Sequence, residues 1–279
     1  MPPRTTGDTG TTGRATKSTL SSAERKKTKV VNVSLKESTQ DEPSCFLAHP
    51  SSEGMCYTMD LRIHSPATMG FFCTGGIETG SAFIRLAKIK GLDIMAITDH
   101  NHAEFIDVIK DRAMNSSITI IPGVDICCKI DLCNEVSMIA LFPENFSSSD
   151  VFQVMQELGI PNWARGRYDY VIDLPFAEVL QIVEAKNGVL IPTRLDKTPY
   201  RQLALPTLIE EFGMHAFDII HPENTDFFRK HWPNGAFTFF CFSNANSLAQ
   251  VGSRMEKVRL SAPGFEGIKD LVRRRVGSR

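Results

Sequence analysis

The 279-residue chain has no apolar run approaching the roughly 20 residues that cross a bilayer. Its N-terminus lacks the apolar core of a secretory signal. It has no P-loop, no GxGxxG turn and no GxSxG elbow. These absences exclude the usual nucleotide-phosphate cradle, the dinucleotide fingerprint and the serine-hydrolase nucleophile. It has no excess of charge: 31 Lys and Arg against 32 Asp and Glu leave a net −1. The molecule as a whole is therefore not an electrostatic binder of nucleic acid or membrane. Its seven cysteines are odd in number and include no CxxC pair. Reduced thiols in a cytoplasmic protein are the expectation, rather than disulfides or a zinc site.

What is present divides in two. Residues 1–54 are rich in Thr, Ser and Lys, and the stretch 5–19 has almost no apolar side chain to offset its ordering entropy. A disordered tail is expected there. Its basic cluster at 25–29 either touches nucleic acid or, as is commoner, is simply solvated. Met55 and Met59, just before the motif that begins at Asp60, are alternative starts to Met1. The whole chain is 42% apolar, as a soluble globular protein is, and residues 55–279 carry alternating strand-like and helix-like runs.

The organising stretch is 92–101. Lys90-Gly91 ends a helix over 79–90 whose Phe83, Leu86 and Ala87 share one face. Ile94 to Ile97 then reads as a buried parallel strand running into Thr98-Asp99-His100-Asn101. Further strands are expected at 57–63, 118–121, 136–142, 189–191, 217–220, 237–242 and 258–260. Helices are expected at 103–114, 151–158, 173–187, 206–213 and 265–275. The alternation predicts an α/β fold, a parallel sheet with helices outside. Periodicity does not choose between a closed barrel and an open sheet.

Several strand-end motifs follow in order: Asp60-Leu61-Arg62-Ile63-His64-Ser65, Thr98-Asp99-His100-Asn101, Pro122-Gly123-Val124-Asp125, Glu135-Val136-Ser137, Ile191-Pro192-Thr193-Arg194-Leu195-Asp196 and Ser243-Asn244-Ala245-Asn246. In order and spacing, over residues 59–271, the set resembles the PHP family (polymerase and histidinol phosphatase domain). The resemblance implies a distorted parallel (β/α) barrel of about seven strands, with an insertion near 144–172 that overhangs the mouth or forms a surface turn. It also implies a phosphoesterase whose clustered divalent metals are held by His and carboxylates from many strand ends.

This chain departs from that pattern. The family's first His is Arg62, its Glu after Pro-Gly is Asp125, its His in Glu-Val-His is Ser137, and a later His is Arg194. Its Ser-Asp-Ala-His is Ser243-Asn244-Ala245-Asn246. His64, His100 and Asp125 remain as metal ligands on the resemblance, with His102 and His221 as substitutes. Asp99 and His100 would be the catalytic pair if the protein is active. An arginine has no lone pair for a metal and keeps its charge. A unit charge about 4 Å away amounts to roughly 4 kcal/mol at an effective dielectric of 20.

The expectation is thus a degenerate PHP-fold protein. It would be a pseudoenzyme or a module binding a phosphate ester or nucleotide through Arg62 and Arg194. Alternatively, these arginines only pair with Asp99, Asp125 or Asp196. The alternative function is a working phosphoesterase with a reduced site for zinc, manganese or iron. A third reading is nucleic-acid binding by the tail. His49, His215 and His231 are expected to be surface or core residues.

Overall fold

The computed structural model describes residues 54–72 and 78–273. The expected tail with its basic cluster, Cys45, Cys73, Arg274 and Arg275 lie outside the described residues.

The chain forms β1 (Met55–Ile63), α1 (Thr79–Lys90), β2 (Ile94–Ile97), α2 (Phe105–Ala113), β3 (Thr119–Ile130), β4 (Cys133–Leu141), α3 (Ser148–Glu157) and α4 (Phe176–Ala185). It continues with β5 (Val189–Pro192), α5 (Pro199–Gln202), β6 (Ala216–Asp218), α6 (Thr225–His231), β7 (Thr238–Phe240), β8 (Glu256–Leu260) and α7 (Gly264–Arg273). The helix ends follow local chemistry. Ser81 N donates to Glu78 Oε2 at the start of α1, and Gly91 closes it at φ 73°. Ser147 and Asp150 form a reciprocal capping box on α3.

Six strands pair in the order β5-β4-β3-β2-β1-β8, while β6 and β7 pair separately. The pairs β1–β2, β2–β3 and β6–β7 are parallel, but β3–β4, β4–β5 and β1–β8 are antiparallel. This corrects the expectation of a parallel barrel: six of the eight strands form a curled half-barrel that does not close by continuous pairing, and its pairings are mixed. The cause is local. β3 runs on to Ile130, and only Asp131 and Leu132 separate it from Cys133, with Asp131 at φ 48°. Two residues suffice for a hairpin, whereas a parallel return needs a crossover of roughly a dozen. The expected helix at 206–213 is a single wide turn, Thr207–Glu211.

Single bridges complete the ring at one end. Arg194 N donates to Asp218 O at 2.7 Å, joining β5 to β6, and His64 N donates to Ala245 O at 2.9 Å, joining the segment after β7 to β1. Residues 59–63 of β1 and all of β2 are buried on both faces. Met59, Leu61, Ile94 and Ala96 face one apolar cluster with Phe265 and Ile268 of α7, while Ile63, Met95 and Ile97 face the helices α1 and α2. The inner space is therefore packed, and polar side chains gather at the bridged strand ends. Cys56, Cys127, Cys128, Cys133 and Cys241 are free thiols. Among the described residues, no helix is long and apolar enough to cross a membrane.

Candidate functional site

At the bridged end a cavity of about 530 Å³ opens, lined by Arg62, His100, Asp125, Ser137, Arg194 and Asn244 among others. β1 turns Arg62 inward, where its side chain is only 3% exposed. Arg62 Nη2 and Nε donate to Asp125 Oδ2 at 2.6 and 3.0 Å, Nη2 also reaches Ser137 Oγ at 3.0 Å, and Nη1 reaches Asp218 Oδ2 at 3.4 Å. Ser137 Oγ donates in turn to Asp125 Oδ1 at 2.8 Å. Arg62 and Ser137 thus contact each other directly and share one carboxylate.

The charges respond accordingly. Burial alone would raise the Asp125 carboxyl, but Arg62, then His100, hold it well below the usual range. Burial pushes Asp218 up to about 6 despite the same arginine, because its contact is a single long one. Burial would lower the Arg62 guanidinium, and Asp125 and Asp218 raise it on balance.

His64 is fully buried, and its Nε2 lies 3.3 Å from Asn244 Oδ1. Burial, then His100, pulls its pKa down to about 3, so the ring is neutral near pH 7. With Nε2 assigned as the donor to Asn244, Nδ1 keeps a lone pair and has no partner. His64 stacks on His100, with ring centroids 4.4 Å apart. His100 Nδ1 lies 3.6 Å from Asp125 Oδ1. Ligand atoms of His64, His100 and Asp125 lie within 4.8 Å of one another, a spacing that suits one metal ion.

The neighbours Asp99 and His100 point to different tasks. Asp99 is fully buried and accepts from Ser65 N, Ser65 Oγ and Thr68 Oγ1, each at 2.6 Å. It ties the loop after β1 to the end of β2 and does not line the cavity. His102 accepts from Glu104 N at 3.2 Å and meets the Phe152 ring edge-on, away from the cavity lining. His221 is exposed, 3.8 Å from Glu223, and also off the lining. Asp196 caps the turn at 220–224 through Ile220 N, His221 N and Asn224 Nδ2.

Arg194 sits at φ 54°, a conformation that is strained for a long side chain. Asn101 and Asn244, also on the lining, share it at 48° and 49°. Left-handed residues thus cluster at the strand ends that shape the cavity. Arg194 is half-buried with no hydrogen-bond acceptor among the described residues, and burial, then Arg62, lowers its pKa. Lys197 lies nearby on the same lining, also without a carboxylate partner among the described residues. The acidic lining residues are engaged: Asp169 with Arg167 at 2.6 Å, and Glu135 with Arg201 at 4.0 Å.

Sequence reasoning missed Asp218, Met69 and Lys197. Asp218 carried a signal, a carboxylate inside the apolar run Phe217 to Ile220. Of the segment 163–168, Tyr168 reaches the cavity, whereas Trp163 is 66% exposed and off the lining.

No family model matches the chain, and no curated protein does. Solved structures do. A lesion-specific endonuclease from Pyrococcus furiosus matches at 16% identity and TM-score 0.55, over 78% of this chain and 56% of that one. A two-domain protein from Bacteroides vulgatus, containing a predicted PHP-like metal-dependent phosphoesterase, matches at 14% and TM-score 0.51, over 81% and 64%. An amidohydrolase from Chromobacterium violaceum, with bound sulfate and no metal, matches at 10% and TM-score 0.52, over 76% and 95%. The chain spans just over half the length of the endonuclease. At these identities the likeness is one of architecture: over the matched residues the chain shares the fold of these proteins.

Proposed function

We propose that this is a degenerate PHP-fold module that binds a phosphate-bearing ligand, with Arg62 replacing the metal cluster as the internal cation of the site. The observation that carries this reading is the clasp of Arg62 on Asp125. Both Asp125 oxygens are already accepting, one from Arg62 and one from Ser137. A fixed positive charge beside them opposes any cation placed there. The donor set does not fit a multi-ion cluster, because Arg62, Ser137, Arg194 and Asn246 offer no imidazole or carboxylate at four family positions. The site then lacks a means of making hydroxide from water at neutral pH.

Arg194 is the anion contact in this reading. Its guanidinium is unsatisfied and faces a cavity whose carboxylates are otherwise paired, and its planar fork suits phosphate. Arg62, with Nε, Nη1 and Nη2 all engaged, contributes charge rather than direct contact. The test is calorimetric binding of inorganic phosphate and ribose 5-phosphate in excess chelator. Wild type should bind, and Arg194→Gln should lose about tenfold or more, the range of a hydrogen bond to a charged group. Equal binding by both proteins removes Arg194 from the site.

A second reading has one specific support. His64 Nδ1 is buried without a partner, and His64, His100 and Asp125 have the spacing of a single-ion site. On that reading these three residues hold one zinc, manganese or iron ion, which would supply a Lewis acid for phosphate-ester hydrolysis. Stoichiometric metal retained by His64 and His100 would favour it.

A further inference from the structure

The anion contact accounts for one part of the cavity, and Tyr168 and Met69 stand elsewhere on its lining. Tyr168 is 71% exposed and Met69 59% exposed, yet both line the cavity. Isolated exposed apolar side chains are ordinary. These two are held in place together. Met69 N donates to Gly166 O at 2.8 Å, and a Cβ on Gly166 would lie 2.5 Å from Ala67 O, so the two loops meet backbone to backbone. The Thr68 hydroxyl anchors one loop to Asp99, and Asn101 Nδ2 anchors the other through Arg167 O at 2.8 Å. The Tyr168 ring meets His100 edge-on, at 6.2 Å between centroids. Asn101 also lines the cavity, is 1% exposed, and keeps Oδ1 without a donor.

We infer that the ligand carries a nucleobase seated at the rim against Tyr168 and Met69, so that the site takes nucleoside phosphates in preference to sugar phosphates. The inference rests on the phosphate-binding reading above and names its ligand class. A rigid aromatic ring and a polarisable thioether are good partners for the face of a planar base. Arg194 and Lys197 supply the charge for the phosphate end. A long single strand is the less favoured occupant. It needs a continuous basic track, and here Asp169 and Glu135 interrupt the lining.

The test is titration of the full chain, in excess chelator and at fixed ionic strength, with AMP, ribose 5-phosphate and a ten-nucleotide single strand. Wild type should bind AMP about tenfold or more tightly than ribose 5-phosphate, the scale of one base–aromatic contact. Tyr168→Ala should bring that ratio close to one, Met69→Ala should reduce it, and Tyr168→Phe should preserve it. Ribose 5-phosphate binding with no preference for AMP overturns this inference and leaves the phosphate reading standing. A preference that survives Tyr168→Ala also overturns it. No binding of either small ligand overturns both readings. Much tighter, steeply salt-dependent binding of the strand overturns the choice of a nucleotide in favour of a polymer.

Discussion

Arg62 and Asp125, separated by 63 positions in the chain, form a buried ion pair in the site, with Nη2 2.6 Å from Oδ2 and both side chains at most 3% exposed. Breaking such a pair from one side leaves an uncompensated buried charge, at a cost of about 3–5 kcal/mol. Arg62→Met is therefore expected to destabilise by about that much. Adding Asp125→Asn to Arg62→Met should recover part of the loss, because it removes the stranded carboxylate. Denaturant unfolding of the two single variants and the double variant measures the coupling. Strict additivity would show that the pair is not energetically coupled.

Stability should depend on pH with a mildly acidic optimum. The Asp125 carboxyl is held low by Arg62, so its contribution is present above the ordinary carboxylate range and is lost as the pH falls below about 4. Asp60 and Glu256 are pushed up to about 7 by burial, so they favour the folded state most when protonated. That advantage is lost as the pH rises through about 7. The melting temperature should fall from pH 5.5 to pH 8.5, and Asp60→Asn should flatten that slope. A melting temperature that climbs over this range would contradict the burial of these carboxyls.

Gly166→Ala tests the rim. Gly166 sits at φ 74°, and an added Cβ would press on Ala67 O. Strain of this kind amounts to about 1–3 kcal/mol. Because Gly166 O accepts from Met69 N, the substitution should also displace Met69 relative to Tyr168. The expected result is a lower melting temperature with a reduced preference for AMP over ribose 5-phosphate. An unchanged preference would show that the contact between the loops does not position the rim.

His102→Ala and His221→Ala should leave metal retention and phosphate binding as in wild type. Neither side chain lines the cavity, and each lies beside a glutamate instead. Loss of anion binding on either substitution, measured by calorimetry, would place a residue in the site that the geometry leaves outside it.

Much of this site is written at strand ends and was legible there. Ile94 to Ile97 is a short buried strand, so the polar residues after it are bound to sit at one end of the sheet. The same logic brings Arg62, Asp125 and Arg194 to one cavity and stacks His64 on His100. Pairing direction was less legible, because it depends on the Asp131-Leu132 turn and on how far β3 continues past Asp125. Partner choice within the site was not legible either. Asp99 and His100 are adjacent in sequence, yet one secures a loop and the other faces the cavity. Asp218, 156 positions from Arg62, became its second carboxylate through the fold alone. The rim formed by Met69 and Tyr168 likewise depends on two loops meeting at Gly166, a contact with no local signature.

The most direct test of the central claim is the metal content of purified wild-type protein after incubation with zinc, manganese and iron and removal of the excess. Arg62→His, which puts an imidazole in place of the guanidinium and releases Asp125, serves as the reference. Near-zero metal in wild type, with a measurable gain in Arg62→His, is the predicted result. One or more tightly held ions per wild-type chain would contradict the replacement of metal by Arg62 and would favour a metal-dependent phosphoesterase.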